Sequence, residues 1–189
     1  NGTGELLSIP TRPIILSATG GQLDNTSGNL TEVFSTEFSC DTPGDYEITA
    51  IVDNQEIKNT VSVAMVWYVN ATAAPGGNGK SDSTAFKTLK EALDAAAEDH
   101  TIIRIASGTY TGTDNIGLNI DKKLSLEKYG DGEAIFDAQG LNRILTVNVG
   151  SVNISGLTFK NGKYAGDGGA IYFNASGKVE NCNFFINHI

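Results

Sequence analysis

The last part of the chain, residues 152–188, repeats one short pattern of apolar and polar positions. Three apolar positions recur 25 residues later, with Ile154 matched by Val179, Leu157 by Cys182 and Phe159 by Phe184. Between the copies, Gly168 and Gly169 lead into a further short apolar run. Short strands with Asn and Gly corners at this period bury their apolar side chains only when one unit stacks on the next. The pattern therefore predicts a parallel β-helix.

Apolar pairs upstream extend this pattern toward residue 103. We expect successive coils to stack Ile103 and Ile105 on Leu124 and Leu126, then on Val152 and Ile154, and finally on Val179. This spacing predicts about four coils, of which the last is incomplete. The apolar floor of that last coil, in residues 179–189, has nothing stacked on it, so we expect further polypeptide or neighbouring copies to cover it.

An amphipathic helix is predicted over about residues 89–97. Thr88 and Glu91 have the spacing of a capping box. Apolar residues follow at helical intervals, namely Leu89, Ala92, Leu93, Ala96 and Ala97. An uncovered first coil would leave apolar side chains and strand edges in water. We therefore expect this helix to cap the β-helix.

Residues 1–66 have the alternation of short β-strands. The strand candidates are residues 6–9, 14–18, 30–38, 45–52 and 57–66, with turn signals such as Pro43-Gly44 and Asp53-Asn54 between them. Such regular short strands predict a sandwich of two half-buried sheets. Only five strands are visible where about seven are usual, so the predicted sandwich is incomplete and has an unpaired edge.

A loop rich in Gly, Pro and Ser follows the apolar strand VWYVN, within residues 65–83. It contains GNGKS, which suggests a phosphate-binding loop. That motif requires Gly five positions before the Gly-Lys-Ser, and Ala74 stands there instead. The loop is therefore predicted to be an exposed corner that leads into the solenoid.

The segments GLTFKNG, GGAIYFN and NCNFFIN resemble repeats of the adhesin-like surface proteins of methanogenic archaea and of chlamydial polymorphic outer-membrane proteins. Both are right-handed β-helix families with GGAI and FxxN elements. The FxxN element stands at residues 184–187, whereas Phe159 is followed by Lys160, Asn161 and Gly162, so we expect a different corner there. The string FKTLKEALDAAAEDHTIIRIASGTY resembles the N-terminal cap of pectate-lyase-like β-helices. The resemblance implies a right-handed parallel β-helix over residues 67–189, a fold that hosts lyases, hydrolases, adhesins and stalks.

The segments SATGGQL, PGDYEITAIVDNQ and NTVSV resemble the bacterial immunoglobulin-like domains of invasin- and intimin-type adhesins. This resemblance covers residues 1–66. Together the two resemblances imply an all-β chain, in which an incomplete immunoglobulin-like β-sandwich precedes a right-handed parallel β-helix with a short capping α-helix.

The charge balance disfavours two classes of partner. Thirteen basic and 22 acidic residues give a net charge of −9, and no run of Lys or Arg occurs. Binding to nucleic acid or to an anionic membrane face is therefore not expected. No apolar run is long enough to span a membrane. The chain opens with neither an initiator Met nor a signal segment, so we expect a piece of a longer, exported protein.

Six Asn-x-Ser/Thr sequons mark possible N-glycosylation, at Asn1, Asn25, Asn29, Asn70, Asn153 and Asn174. Their number favours an extracellular, cell-surface location. Cys182 takes the repeat position of Leu157 and is expected to be a small buried residue. A disulfide with Cys40 would have to join the two predicted domains and is disfavoured.

Candidate chemistry on the β-helix is sparse. Cleavage of a polysaccharide would need paired carboxylates, or acidic calcium ligands with a basic residue. The outward positions beside the stacked apolar pairs are Arg104, Ser125, Asn153 and either Lys178 or Glu180, without a carboxylate pair. Five Asp residues lie in or beside glycine-rich turns. The usual role of Asp in such a turn is a local hydrogen bond to the backbone, and calcium binding is the alternative. These residues are Asp114, Asp121, Asp131, Asp137 and Asp167. His100 and His188 have no nearby nucleophile, so no catalytic, cofactor or metal residue is predicted.

Three functions remain open from the sequence. The favoured one is a non-catalytic adhesin-like or stalk fragment that attaches to other cell surfaces or surface glycans. A second is the N-terminal part of a polysaccharide lyase or hydrolase whose active site lies in later coils. A third is a subunit of an extracellular filament, completed by strand donation and coil stacking between neighbouring copies.

Overall fold

The computed structural model describes residues 12–30, 35–96 and 99–188. The chain divides into two compact units, residues 1–63 and 64–189. The first unit contains small antiparallel sheets, and the second is a parallel β-solenoid of about three turns with one short α-helix among the described residues. The predicted all-β organisation with a parallel β-helix in the C-terminal part is confirmed at this level.

The N-terminal unit has six described strands: β1 Pro13–Ala18, β2 Gln22–Leu23, β3 Ser27–Asn29, β4 Phe38–Ser39, β5 Gly44–Val52 and β6 Gln55–Val63. Four of them form an antiparallel sheet in the order β3-β1-β5-β6, and β2 pairs with β4. Ile14 and Leu16 are buried while Ile15 is exposed, as expected when successive side chains point to opposite faces. Asp53 and Asn54 join β5 to β6 with positive φ at both positions, the turn that suits the strand twist of a two-residue hairpin.

The strands predicted at residues 14–18 and 45–52 are confirmed as β1 and β5. The strand predicted at residues 57–66 is two strands, because β6 ends at Val63 and a new strand begins at Met65. Residues 6–9 lie outside the described residues, as does the middle of the strand predicted at residues 30–38.

The described part of the solenoid has twelve strands: β7 Met65–Val69, β8 Thr101–Ile105, β9 Gly108–Tyr110, β10 Leu118–Ile120, β11 Leu124–Lys128, β12 Ala134–Asp137, β13 Leu145–Val147, β14 Val152–Ser155, β15 Leu157–Lys160, β16 Ile171–Phe173, β17 Gly177–Glu180 and β18 Asn183–Phe185. They form three parallel sheets in the orders β17-β14-β11-β8-β7, β18-β15-β12-β9 and β10-β13-β16. Three successive turns, which begin at β8, β11 and β14, each contribute one strand to each sheet, whereas β7, β17 and β18 extend two of the sheets.

The register of the longest sheet corrects one prediction. Ile103 pairs with Leu126, whereas Leu124 pairs with Thr101. The sequence pattern had placed Leu124 on Ile103, and it was wrong because the buried Thr101 takes the first inward position of β8. The first strand of this sheet is β7, in which Trp67 pairs with Ile103.

A column of aromatic rings runs through the solenoid core. Tyr110, Phe136, Phe159 and Phe184 occupy equivalent positions on β9, β12, β15 and β18. Their ring centroids lie 4.9, 5.8 and 5.4 Å apart in nearly parallel stacks. The first three rings are fully buried, and the last, Phe184, is 49% exposed. The repeat in the sequence indicated only the last two members of this column.

The helix α1, Leu89–Ala95, carries the predicted capping box. The Glu91 N–H donates to Thr88 Oγ1 at 3.3 Å, and the Thr88 N–H donates to Glu91 Oε2 at 2.9 Å. Leu89, Ala92 and Ala96 are fully buried in the solenoid core, and the helix packs against β7. The helix ends before the predicted residue 97, and residues 97–98 lie outside the described part.

We expect Leu89→Asp to lower the free energy of unfolding of the solenoid by at least about 3 kcal/mol, because it places an unpaired charge at a fully buried position. Leu141→Asp is the matched control, since Leu141 is 73% exposed and the same substitution there should have little effect. Urea unfolding of the two variants measures the difference. Equal midpoints would mean that α1 does not seal the core.

The buried Tyr110 makes the free energy of unfolding decrease at alkaline pH. Burial raises the pKa of Tyr110 to about 12 from an ordinary value of 10.0. Between these values the folded chain keeps a proton that the unfolded chain loses, so stability falls as pH rises. Tyr110→Phe should remove about 1 kcal/mol at neutral pH, because the hydroxyl donates to Ala106 O at 2.8 Å, and should reduce the slope above pH 10. Urea unfolding at several pH values tests this, and an unchanged slope would contradict it.

Candidate functional site

The outward face of the longest parallel sheet carries a row of polar and aromatic side chains. The row consists of Tyr68 on β7, Arg104 on β8, Glu127 on β11, Ser155 on β14 and Glu180 on β17, all in register. They point outward because the neighbouring positions, such as Ile103 and Ile105, are buried in the core. The sheet therefore displays five side chains at the spacing of its strands.

Arg104 lies at the centre of the contacts within this row. Its Nε donates to Glu127 Oε1 at 2.8 Å, and its Nη1 donates to the Tyr68 hydroxyl at 3.4 Å. The Arg104 side chain is 41% exposed and that of Glu127 is 34% exposed. The hydrogen bond with Glu127 raises the pKa of Arg104, so the guanidinium stays protonated.

Tyr129 and Asp82 complete the site from two other parts of the chain. Tyr129 follows β11, and its ring meets Tyr68 edge-to-face with centroids 5.5 Å apart and an interplanar angle of 88°. Its hydroxyl donates to the Asp82 carboxylate. Burial raises the pKa of Tyr129, and the bond to Asp82 raises it further, so the phenol stays protonated. We call Tyr68, Asp82, Arg104, Glu127 and Tyr129 the tyrosine–arginine patch.

The loop that contains GNGKS positions Asp82. The Tyr68 N–H donates to Gly79 O, and the Phe86 N–H donates to Tyr68 O, both at 2.8 Å, so the loop lies along β7. The Gly79 N–H is used within the loop, where it donates to Thr84 O at 2.8 Å. Gly79 has φ +69, and a Cβ there would lie 2.2 Å from the Phe86 ring. Gly79 therefore serves the turn that carries Asp82 on a short 3-10 helix, Asp82–Thr84.

Of the other predicted outward positions, Glu180 lies in the row of Arg104, whereas Ser125, Asn153 and Lys178 fall in a neighbouring row. Ser125 pairs with Ile102 and Asn153, and Asn153 pairs with Lys178. Arg104 therefore lies beside Glu127 instead of Ser125, and sequence reasoning missed Glu127, Tyr68 and Tyr129. The correct register of β8 with β11 would have identified Glu127, because it pairs Arg104 with Glu127.

Several predicted turn residues form polar ladders at the corners. The Asn148 amide donates to Asp121 Oδ1, and the Asn174 amide donates to Asn148 Oδ1, both at 2.8 Å. Asp137 Oδ1 accepts from the Gln139 N–H at 3.0 Å, which confirms its predicted turn role. Burial raises the pKa of Asp137, but hydrogen bonds from Asn161 and Gln139 together with Lys160 outweigh it and bring the pKa below its ordinary value.

The corner at the predicted FxxN element also binds the preceding coil. The Asn187 side chain accepts from the Gly162 N–H at 2.8 Å and donates to Phe159 O at 3.0 Å. The equivalent corner one coil earlier differs, as predicted, because Asn161 donates to Asp137 Oδ1 at 2.8 Å.

The asparagines of the predicted glycosylation sites differ in exposure. Asn25, Asn29, Asn153 and Asn174 are exposed, whereas Asn70 is half-buried and accepts from the N–H and hydroxyl of Thr72. Asn1 lies outside the described residues. The predicted glycosylation of these positions stays a prediction.

His100, His188 and Cys182 lie apart from the patch within the solenoid, and Cys40 belongs to the N-terminal unit. His100 precedes β8, at the end of that strand away from Arg104, and His188 lies in a corner after β18. Cys40 and Cys182 are free thiols. Cys182 is only half-buried, because it belongs to the last turn, and burial raises the pKa of its thiol.

A buried arginine that sequence reasoning missed clamps the loop before β16. Arg143 is 9% exposed, and its guanidinium carbon lies 3.9 Å from the Tyr164 ring centroid and 4.7 Å from that of Tyr172. It donates to the backbone oxygens of Asp167 and Gly168. Arg143 thereby holds the glycine-rich turn that the sequence predicted at residues 167–169.

Within the part of the chain that the structure describes, no three His, Cys, Asp or Glu side chains lie close enough together to hold a metal ion. Among the same residues, no helix is long and apolar enough to cross a membrane.

Comparisons with known proteins name no family. No protein-family model, no curated protein and no solved structure matches the chain.

We expect Arg104→Met to change the free energy of unfolding by less than about 1 kcal/mol, because exposed ion pairs contribute little to stability. Arg143→Met should cost about 3 kcal/mol, because the buried Arg143 guanidinium donates to two backbone carbonyls, those of Asp167 and Gly168, and both hydrogen bonds would be lost. Urea unfolding compares the same substitution at an exposed and a buried arginine. Equal losses would assign Arg104 a structural role.

Proposed function

We propose that the chain is part of a cell-surface adhesin-like or stalk protein that attaches to other surfaces or surface glycans without catalysis. In this proposal the N-terminal sheets belong to an immunoglobulin-like module, and the solenoid forms the first coils of a right-handed β-helix outside the cell. The resemblance of the repeats to surface proteins and the number of sequons support it.

One observation carries the proposal. The tyrosine–arginine patch is half-buried except for the exposed Asp82, and three of its residues lie on paired strands, but its ionisable groups are already engaged with one another. Arg104 binds Glu127, and Tyr129 binds Asp82. This arrangement presents aromatic surface and hydrogen-bonding groups to a partner.

The pKa directions favour attachment over proton transfer. A general acid or base is most effective when its pKa lies near the working pH. The hydrogen bond with Glu127 raises the pKa of Arg104, and burial raises the pKa of Tyr129. Both groups therefore hold their protons at neutral pH, where a catalytic base would have to accept one.

A filament subunit is the second candidate, favoured by the exposed apolar residues of the last turn. These are Val179, Phe184, Phe185 and Ile186. Helix α1 covers the opposite end of the solenoid, so coil stacking between copies would use the end that β17 and β18 form. Further residues of the same polypeptide would cover that end equally well.

We expect the purified chain to release no reducing or unsaturated sugars from pectin, alginate or hemicellulose. Reducing-end and absorbance assays measure this, with a known lyase as positive control. If the chain releases sugars and Arg104→Met, Asp121→Asn or Asp137→Asn abolishes this activity, the attachment proposal is wrong and the polysaccharide lyase or hydrolase alternative takes its place.

Attachment itself is tested with beads that carry the 189-residue chain. We expect these beads to be retained on cells and on immobilised surface glycans above the level of beads coated with albumin. Light scattering of the free chain addresses the filament candidate, because concentration-dependent growth would favour it. Equal retention of the two kinds of bead would contradict the attachment proposal.

A further inference from the structure

We infer that the tyrosine–arginine patch is a binding site for a neutral, pyranose-based oligosaccharide. This inference rests on the proposed attachment function and names the ligand class and the site. It is drawn from the side chains that the patch combines, from their unused hydrogen-bonding atoms and from the spacing of the strands beneath them.

The patch combines the two kinds of surface that a sugar ring recognises. Tyr68 and Tyr129 meet at 88°, so their rings form a corner of apolar surface with polar hydroxyls. Tyrosine offers such contact area with little loss of side-chain freedom. Arg104 supplies donors and Glu127 supplies acceptors beside these rings. A pyranose has apolar C–H faces and a rim of hydroxyl groups that both donate and accept.

Hydrogen-bonding capacity remains after the contacts within the patch are made. Among the described residues, Arg104 makes hydrogen bonds through Nε and Nη1 only, although a guanidinium carries five N–H donors. With respect to the residues that the structure describes, Glu127 bonds through Oε1 and Asp82 through Oδ1, which leaves one oxygen of each carboxylate. Donors and acceptors thus lie together at one partly exposed place.

The groups are held in place before any ligand arrives. Tyr68, Arg104 and Glu127 lie on three adjacent parallel strands. The Tyr129 N–H donates to Ile105 O at 3.0 Å. A site on paired strands loses less conformational freedom on binding than a site on a loop.

The charges select among ligand classes. Two carboxylates and one guanidinium make the patch mildly acidic, and the chain has a net charge of −9, so an acidic sugar is disfavoured. A basic peptide is disfavoured because Arg104 lies at the centre of the patch. A peptide or protein partner would also need several hundred Å² of contact, roughly 800 Å² per partner in stable complexes, which five side chains do not provide.

The row beyond the patch extends the site along the solenoid axis. Ser155 and Glu180 continue the register of Arg104 and Glu127 on β14 and β17. Adjacent strands lie about 4.8 Å apart, which is close to the length of one pyranose unit. A linear oligosaccharide along this row can therefore place one sugar over each strand.

The test uses the 189-residue chain on an array of neutral oligosaccharides of glucose, galactose, mannose and N-acetylglucosamine, with uronate-containing glycans and basic peptides beside them. Affinity for each bound probe is then measured by calorimetry. We expect neutral oligosaccharides to bind, and Arg104→Met to weaken binding by about tenfold or more. Arg12→Met is the matched control, since Arg12 also pairs with an exposed carboxylate, that of Asp53, but lies in the other unit.

Circular dichroism establishes that each variant is folded. Glu127→Gln serves as a second variant that keeps the side-chain shape and should also weaken binding. Absence of binding to neutral glycans, preference for uronates or peptides, or equal affinity of Arg104→Met and the unchanged chain would each overturn the inference. If beads that carry the Arg104→Met chain are still retained on cells, the attachment proposal stands, but the tyrosine–arginine patch is not the site that mediates attachment. If the chain binds neutral glycans but its beads are not retained on cells, the glycan site stands and the attachment proposal fails.

Discussion

Coil-on-coil stacking is the interaction on which the solenoid depends. The strands are three to five residues long, so no single turn buries a core of its own. The column of Tyr110, Phe136 and Phe159 shows how stacking solves this, because each ring covers the next at nearly the spacing of the strands. The same stacking sets the outward face, since inward and outward positions alternate along β8 and β11, the strands that carry Arg104 and Glu127. The tyrosine–arginine patch is therefore a consequence of core register.

Corner chemistry fixes that register between strands. The amides of Asn148 and Asn174 connect successive coils through side-chain hydrogen bonds, and Asn187 binds the backbone of the preceding coil. A shift by one residue would exchange the two faces of a strand and break these ladders together. Buried rings and corner amides thus favour one alignment by independent means.

The sequence predicted what is local and missed what depends on long-range register. The capping box at Thr88 and Glu91 and the match of Ile154 with Val179 were predicted because each follows from short intervals or a close repeat. The pairing of Leu124 with Thr101 was missed because a buried threonine reads as polar. In the patch, Tyr68 lies 36 residues from Arg104, and Asp82 lies 47 residues from Tyr129. The spacing of residues along the chain does not predict contacts between residues so far apart.

The coils are unequal in length although their strands stay in register. Leu126 follows Ile103 by 23 residues, Ile154 follows Leu126 by 28, and Val179 follows Ile154 by 25. The difference is taken up in the corners, where extra residues leave the strand pairing intact. Lengthening an exposed loop costs little free energy. Such corners are natural places for insertions during evolution, and for grafted peptides in engineering, with the loop that Arg143 clamps as the exception.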